Sequence, residues 1–321
     1  MSTTPTTPNR RTVPYTVIGN PKAPGASERL PVSVVLLNRG NRLYRNDIFR
    51  ELDKFGFDSV LSVEEGPESR DVEALAARYP RSRFLVISGK TSPGEQINLG
   101  MRESSGLFVF VLWSDMRLST QGLSSRFFER VAEQNILCQA PFLSSREGDL
   151  LPAAAAPALH RASLKVLALS PAHDGERSLY PFDYCGIYSR EKFVQTGGFD
   201  AELRTPYWQK LDFGFRSWLW GEELHLAQAL KVNYVEDVPA EDSTPDECYK
   251  WFWLKNLAPV FKSDSALIPA SRLWAYLRRR SGGPFAGAAE FRSARDWVRL
   301  NRYRFRFDAA SLVDLWGETL P

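Results

Sequence analysis

The sequence predicts an α/β fold with a mostly parallel central sheet flanked by helices. Two observations carry this. Residues 32–37 (VSVVLL), 59–63 (SVLSV), 84–87 (FLVI) and 108–113 (FVFVLW) are short and apolar almost throughout, as strands buried on both faces are. Their starts recur about every 25 residues, the room a right-handed β-α-β crossover needs.

Residues 1–29 are dominated by Thr, Pro, Ser and Gly with little to bury, and read as a disordered or loosely packed arm. The first strand is followed by Leu43, Ile48, Leu52 and Phe55 at helical spacing. The second is followed by Val72, Leu75 and Tyr79, and Pro80 ends that helix. After the third strand, Ser92-Pro93-Gly94-Glu95 is a capping box with Pro at the first helical position. The fourth strand stops abruptly at Ser114-Asp115. An open parallel sheet binds ligands outside the carboxyl ends of its strands, and helix N-termini there attract phosphate. The tip carboxylate and the capped helix are therefore expected to face one crevice. Residues 144–158, with Gly148, Pro152, Pro157 and an alanine run, read as a loop beside it.

Whole-chain properties set the bounds. A length of 321 residues with 43% hydrophobic content allows one large or two smaller domains with a sizeable core. Three cysteines, Cys138, Cys185 and Cys248, are too few and too dispersed for a disulfide framework or a zinc site, which fits a reducing compartment. The N-terminus lacks a basic-then-apolar signal, and no run approaches the ~18 apolar residues of a membrane span, so a cytoplasmic location is expected. His160 and His173 lie in loop-like sequence and His225 in an expected helix; none suggests a site.

The order of strand, Asn38-Arg39, helix, strand, Glu64-Glu65-Gly66, helix, strand, a Gly94…Asn98…Gly100 helix, strand and Ser114-Asp115 resembles the nucleotide-sugar half of family-two glycosyltransferases of the GT-A fold. The second half is similar in order and spacing: Tyr184-Cys-Gly-Ile-Tyr, Gly197-Gly198-Phe199-Asp200, then Asp212-Phe-Gly-Phe-Arg216…Gly221. The resemblance covers about residues 31–260. It implies a GT-A domain over residues 30–260, with Asn38, Arg39, Glu64, Glu65, Gly94, Asn98, Ser114 and Asp115 on the donor side. Gly197, Gly198, Trp208 and Lys210 fall on the acceptor side.

The same resemblance implies a divalent metal, Mg²⁺ or Mn²⁺, against the donor diphosphate. Where the family has two aspartates separated by one residue, this chain has Trp113-Ser114-Asp115. Asp115 is left as the metal ligand, with Glu241, or its neighbour Asp242, as a second, in a region where the family can use histidine. A site with so few carboxylates needs substrate phosphates to complete its shell, so metal should bind weakly without nucleotide. Gln209-Lys210 stand where the family carries an acid, which leaves Asp212 as the expected general base. Asp212 and Arg216 also share one helix face at i, i+4 spacing, so a purely structural ion pair is the alternative.

Residues 261–321 form an expected helical extension. Between Arg272 and Phe307 it carries ten arginines against Glu290 and Asp296, interleaved with Trp274, Tyr276, Phe285, Phe291, Trp297, Tyr303, Phe305 and Phe307. Such a tail either lies on an anionic bilayer, each cation near the surface contributing ~1 kcal/mol, or packs its aromatics on the domain with the arginines solvated. The whole-chain charge of +3 argues against a nucleic-acid partner. The resemblance thus points to a nucleotide-sugar-dependent, inverting glycosyltransferase that acts on a glycan or lipid-linked acceptor, in the cytoplasm and, if the tail docks on a bilayer, at the inner face of the membrane. A catalytically impaired GT-A-like subunit of a glycan-assembly complex is the alternative.

Overall fold

The computed structural model describes residues 13–19, 30–39, 43–66, 71–119, 123–160, 163–279 and 284–317. The amino-terminal half runs β1 (Tyr15–Ile18), β2 (Leu30–Leu37), α1 (Leu43–Lys54), β3 (Phe57–Glu65), α2 (Val72–Arg78), β4 (Ser82–Ile87), α3 (Pro93–Glu103) and β5 (Phe108–Trp113). Strands β2 to β5 pair in parallel, with Val34 opposite Val60 on one side and Phe110 on the other. Every side chain of β5 is buried, as an apolar run covered on both faces must be. The spatial order β4-β3-β2-β5 reverses between β2 and β5. The switch point therefore lies at their carboxyl ends, Asn38-Arg39 and Ser114-Asp115.

The second half runs β6 (Met116–Leu118), α4 (Ser125–Gln134), β7 (Cys138–Ser144), β8 (Ala154–His160), β9 (Ser163–Leu169), β10 (Gly186–Ser189), α5 (Arg190–Thr196), α6 (Pro206–Leu219) and β11 (Leu224–Tyr234). It continues through α7 (Glu247–Phe252), whose last turn widens to a π-helix over Trp253–Leu257, then β12 (Val260–Lys262), β13 (Ser265–Leu267), α8 (Arg272–Arg279), α9 (Pro284–Asn301) and α10 (Ala309–Gly317). Among the described residues the main sheet has nine strands in the order β1-β4-β3-β2-β5-β10-β7-β11-β6. β10 is antiparallel to both β5 and β7. The α/β class read from the sequence is the architecture observed.

Three local expectations need correction. Within the supposed arm, Tyr15–Ile18 forms an edge strand antiparallel to β4; residues 1–12 and 20–29 lie outside the described residues. Within the supposed loop, Ala154–His160 pairs with Ser163–Leu169 as a hairpin. Alanine is a poor strand former in isolation, but here Ala154 packs with Ala140, Phe142 and Leu226. That hairpin also holds His160. His225 lies in a strand, β11, not a helix; its ring bonds Glu223 at 2.8 Å, and burial lowers its pKa.

Helix α6 enters with Pro206 in its first turn and is buried from Trp208 through Leu219. It lies between the sheet and the extension, so its Lys210, Asp212 and Arg216 must all find partners. The extension packs Tyr276, Phe291, Trp297, Phe305 and Trp316 into the main core. Trp297 stacks on Trp220 with ring centroids 6.0 Å apart, and Tyr276 stacks on Trp253 at 6.2 Å. Trp274 and Phe285, by contrast, are 69% and 90% exposed. Arg280 lies outside the described residues.

Candidate functional site

At the switch point the two strand tips are stitched together. Ser114 N donates to Leu37 O at 2.9 Å, Arg39 N donates to Ser114 Oγ at 3.2 Å, and Ser114 Oγ donates to Arg39 O at 2.9 Å. This register sets Arg39 beside Asp115, with Nε 2.7 Å from Oδ2. Nη2 of the same guanidinium lies 2.6 Å from Asp183 Oδ2. Its plane sits over the Trp113 ring at 4.3 Å, a cation–π contact. Asp115 is 2% exposed, and its Oδ1 is buried with no hydrogen-bond partner.

Asp183 belongs to the 3₁₀ turn Phe182–Tyr184. Its φ is 51° and that of Tyr184 is 62°, left-handed backbone that non-glycine residues enter at a cost and that clusters at functional sites. Two hydrogen bonds hold the turn there: Trp113 Nε1 donates to Asp183 O at 2.8 Å, and Tyr234 Oη donates to Asp183 Oδ2 at 2.9 Å. Burial raises the Asp183 pKa, opposed by the Arg39 charge. Burial also works against the Arg39 charge, but Asp183 and Asp115 outweigh it and hold the guanidinium pKa above its ordinary value.

Arg39 and Asp183 line a cavity of about 220 Å³ together with Trp113, Tyr184, Tyr207, Lys210, Glu241 and Asp242. Lys210 is 4% exposed, pairs with Glu241 Oε1, and lies 5.4 to 5.6 Å from the Tyr180, Phe182 and Tyr184 ring centres. Tyr180 Oη donates to Glu241 Oε2 at 2.7 Å. Burial and the Glu241 charge push the Tyr207 hydroxyl up to about 12. Two cations, three carboxylates and an aromatic wall thus face one small cavity at the strand tips. Of those carboxylates, Asp183 and Glu241 are paired with cations. Asp242 makes no ion pair among the described residues, and its Oδ1 accepts from Thr244 N at 2.9 Å. Hydrogen bonds from Thr244 hold its pKa below the ordinary carboxylate value.

Several sequence-predicted residues are engaged elsewhere. Asn38 Nδ2 donates to Ser62 Oγ at 3.0 Å, Val63 O at 2.7 Å and Glu64 Oε1 at 3.2 Å, locking the tip of β2 to that of β3. Glu65 Oε1 accepts from Thr91 Oγ1 at 2.6 Å and Gln96 Nε2 at 2.8 Å, fixing the entry to α3. The capping box is present, but the helix end is closed: Gly94 N donates to Gln209 Oε1 at 3.0 Å, and Gln209 Nε2 donates to Ser92 Oγ at 3.0 Å. Any Cβ at Gly94 would collide with Gln209, so this glycine serves helix packing and its amide is not available to a phosphate. Asn98 forms a two-way clasp with the Phe199 backbone, at 2.7 and 2.9 Å. A Cβ at Gly198, where φ is +67°, would meet Asn98 Oδ1 at 2.5 Å. Gly197 caps α5 in the left-handed conformation. Trp208 is core: it packs on Tyr249 and Phe252, and its Nε1 donates to Thr244 O at 3.1 Å.

Asp212 is the largest departure. It is 0% exposed and does not line the cavity. Its Oδ2 accepts from Arg216 Nη2 at 3.1 Å, and its Oδ1 accepts from Asn256 Nδ2 at 2.7 Å with Lys255 Nζ 3.9 Å away. Arg216 also donates to Thr196 O and, at 2.7 Å, to Gly198 O. Lys255 pairs with Asp200 at 2.6 Å; burial opposes the Asp200 charge, but Lys255 outweighs it and lowers the pKa. The Gly-Gly-Phe-Asp turn and the Asp…Arg helix are therefore one buried ion network that clamps α5, α6 and α7. A general base must reach the hydroxyl it deprotonates, and Asp212 has no exposed surface.

The metal ligands expected from the resemblance are placed differently too. Asp115 is bound to Arg39, and Glu241 to Lys210 and Tyr180. No group of three or more His, Cys, Asp or Glu side chains is placed to hold a metal among the described residues. With a guanidinium fixed between Asp115 and Asp183, these residues do not fit a divalent ion. Sequence reading passed over Asp183, Tyr180 and Tyr234. Asp183 stands directly before the Tyr184-Cys-Gly stretch, and an acid abutting a recognised stretch was the available signal. The two tyrosines carried none, because their role comes from sheet order.

No family sequence model matches the chain and no curated protein matches it in sequence. Solved structures do resemble it in fold. The structure of GalNAc-T7 with UDP, GalNAc and Mn²⁺ is 11% identical, with a TM-score of 0.52 over 71% of this chain. This chain spans only 51% of that one. TarS of S. aureus, residues 1–349 with UDP-GlcNAc, is 10% identical over 84% of this chain and 72% of its own, with a TM-score of 0.48. Mannosyltransferase PcManGT from Pyrobaculum calidifontis, with GDP-Man and Mn²⁺, is 12% identical over 96% of this chain and 79% of its own, with a TM-score of 0.43. The architecture is that of the GT-A fold.

Proposed function

We propose that the chain is a nucleotide-sugar-dependent glycosyltransferase whose donor sits across the tips of β2 and β5. One observation carries this reading: Arg39, Asp115, Asp183 and Lys210 converge at the switch point of a GT-A sheet, two of them cations facing one aromatic-walled cavity. A cavity of about 220 Å³ is smaller than the ~300 Å³ at the low end for whole drug-sized ligands. It suits the sugar and diphosphate, with the nucleoside over the strand tips. Arg39 and Lys210 complement the diphosphate charge, while the partly exposed Tyr207 offers a flat face to a sugar ring.

In the transfer, the bond from the anomeric carbon to the β-phosphate oxygen breaks and its electron pair stays on the phosphate. The acceptor hydroxyl oxygen attacks the anomeric carbon from the opposite side, inverting it, and its proton passes to a carboxylate. Asp242 is that base in this reading, because it lines the cavity and no cation pairs with it among the described residues. The acceptor is a glycan or a lipid-linked glycan. Exposed Trp274, which the exposed Arg272 and Arg278 flank in sequence, and exposed Phe285 support a docking face for an anionic membrane.

Calorimetric titration with a panel of nucleoside diphosphates and their sugars tests this. One diphosphate should bind saturably, compete with its own nucleotide sugar, and lose at least about tenfold in affinity with Lys210→Met, roughly the 1.4 kcal/mol of one charge-assisted hydrogen bond. No binding across the panel would remove the proposal.

A further inference from the structure

We propose that Arg39 does the work of the divalent ion, so that donor binding and leaving-group stabilisation need no metal. The proposal rests on the glycosyltransferase reading of the same site. Asp115 and Asp183, from different strands and loops, each place Oδ2 within 2.7 Å of one guanidinium. Two carboxylates converging on a point at a strand tip are what a divalent ion would need, and here a fixed organic cation stands between them. Its position does not rest on the two ion pairs alone: Trp113 lies under the guanidinium plane, and Tyr234 is 5.6 Å from it. The strained turn at Asp183 is held in place by Trp113 and Tyr234 as well. Arg39 is therefore preorganised, so no reorganisation is needed as charge develops.

The two carboxylates are already occupied by a cation. Arg39 is +1 against the two carboxylates it bridges, a net −1, and Lys210 with Glu241 is neutral. A dication added to the same pair would have to displace the guanidinium or sit beside it, two cations competing for the same oxygens. When the anomeric bond breaks, negative charge grows on the departing β-phosphate. Arg39 lines the cavity, and the N–H donors of its guanidinium that Asp115 and Asp183 do not take are the ones left for phosphate oxygens. The bond change is the one given above: the electron pair goes to the phosphate oxygen, which Arg39 stabilises without accepting or giving a proton.

The full chain, titrated with UDP, GDP, ADP and CDP in excess chelator and again in Mn²⁺, tests this. The diphosphate that binds should do so with affinities within about threefold in the two conditions. Binding that appears only in Mn²⁺ would overturn the metal-free assignment and leave the glycosyltransferase reading standing. Absence of binding in both would overturn both. Arg39→Ala supplies a second readout that does not depend on turnover. Removing the guanidinium leaves Asp115 and Asp183 facing each other, so the variant should bind Mn²⁺ alone, seen as loss of the free-ion paramagnetic resonance signal, at least tenfold more tightly than the parent chain. In chelator its diphosphate affinity should fall at least tenfold. A parent chain that binds Mn²⁺ alone as tightly as the variant would overturn the proposal. Should Arg39→Ala not fold, Arg39→Lys carries the same comparison, since a single ammonium cannot bridge both carboxylates as the fork does.

Discussion

Arg39 Nε lies 2.7 Å from Asp115 Oδ2, so the two strands flanking the switch point hold each other's charge at their tips. That contact gives the site a structural as well as a chemical dependence on one side chain.

Deleting the bridge should cost stability in a pH-dependent way. Breaking a largely buried ion pair by removing one partner typically costs about 3–5 kcal/mol, through the charge left behind. Burial already raises the Asp183 pKa against the opposing pull of Arg39, so Arg39→Ala should raise it further. A carboxyl whose folded pKa lies above its unfolded value destabilises the fold as pH rises between the two, and ceases to do so once it is protonated. The variant's loss of Tm relative to the parent should thus be largest at neutral pH and shrink as pH falls into the acid range, measured by calorimetry across that span.

Asp212→Asn should separate structure from chemistry. The substitution removes a fully buried charge from between Arg216 and Lys255, leaving cations partly uncompensated, at a cost of about 3 kcal/mol. Denaturant unfolding should show that loss, while diphosphate affinity per folded molecule stays within about threefold. A stable variant that has lost turnover would return Asp212 to the reaction.

Much of the fold was legible because β2 to β5 are buried on both faces and so declare themselves as apolar runs. The capping box at Ser92 was legible for the same kind of reason: its signal is local. The site was legible only in part. Asp115 could be read from its strand tip, but its partner Asp183 is 68 residues away in sequence and reaches it only because antiparallel β10 inserts beside β5. Asn98 and Gly94 read as donor contacts, and their actual partners, Phe199 and Gln209, come from the distant α5–α6 region. Gln209 stood in the sequence as a departure from the family's acid, whereas in the fold it is the residue that closes the α3 end. The alanine run at 153–156 hid a strand, because its stability comes from fit against β7 and β11 and not from intrinsic preference.

The extension makes two opposed predictions for its aromatics. Trp297 is buried and stacked on Trp220, so Trp297→Ala should cost about 3–5 kcal/mol of stability, as large core truncations do, and lower the unfolding midpoint in urea. Trp274 and Phe285 are exposed, so their joint replacement by Ala should leave that midpoint unchanged. It should instead lower sedimentation with anionic vesicles at low salt, where the surrounding arginines act with least screening. Equal sedimentation of parent and double variant would remove the docking face.

Asp242→Asn should lower turnover by at least about 10²-fold, the lower end of what a general base contributes, with diphosphate affinity and Tm held. Undiminished turnover would move the base role elsewhere in the cavity, with Glu241 the next carboxylate to replace.

The most direct measurement is release of nucleoside diphosphate from a panel of UDP- and GDP-sugars incubated with the full chain, with and without a glycan acceptor mixture. The account predicts slow release from one donor, acceleration when an acceptor is present, and loss of that acceleration in Asp242→Asn. A chain that binds a diphosphate yet releases none from any donor, with or without acceptor, would contradict the enzyme and leave a binding subunit built on the GT-A fold.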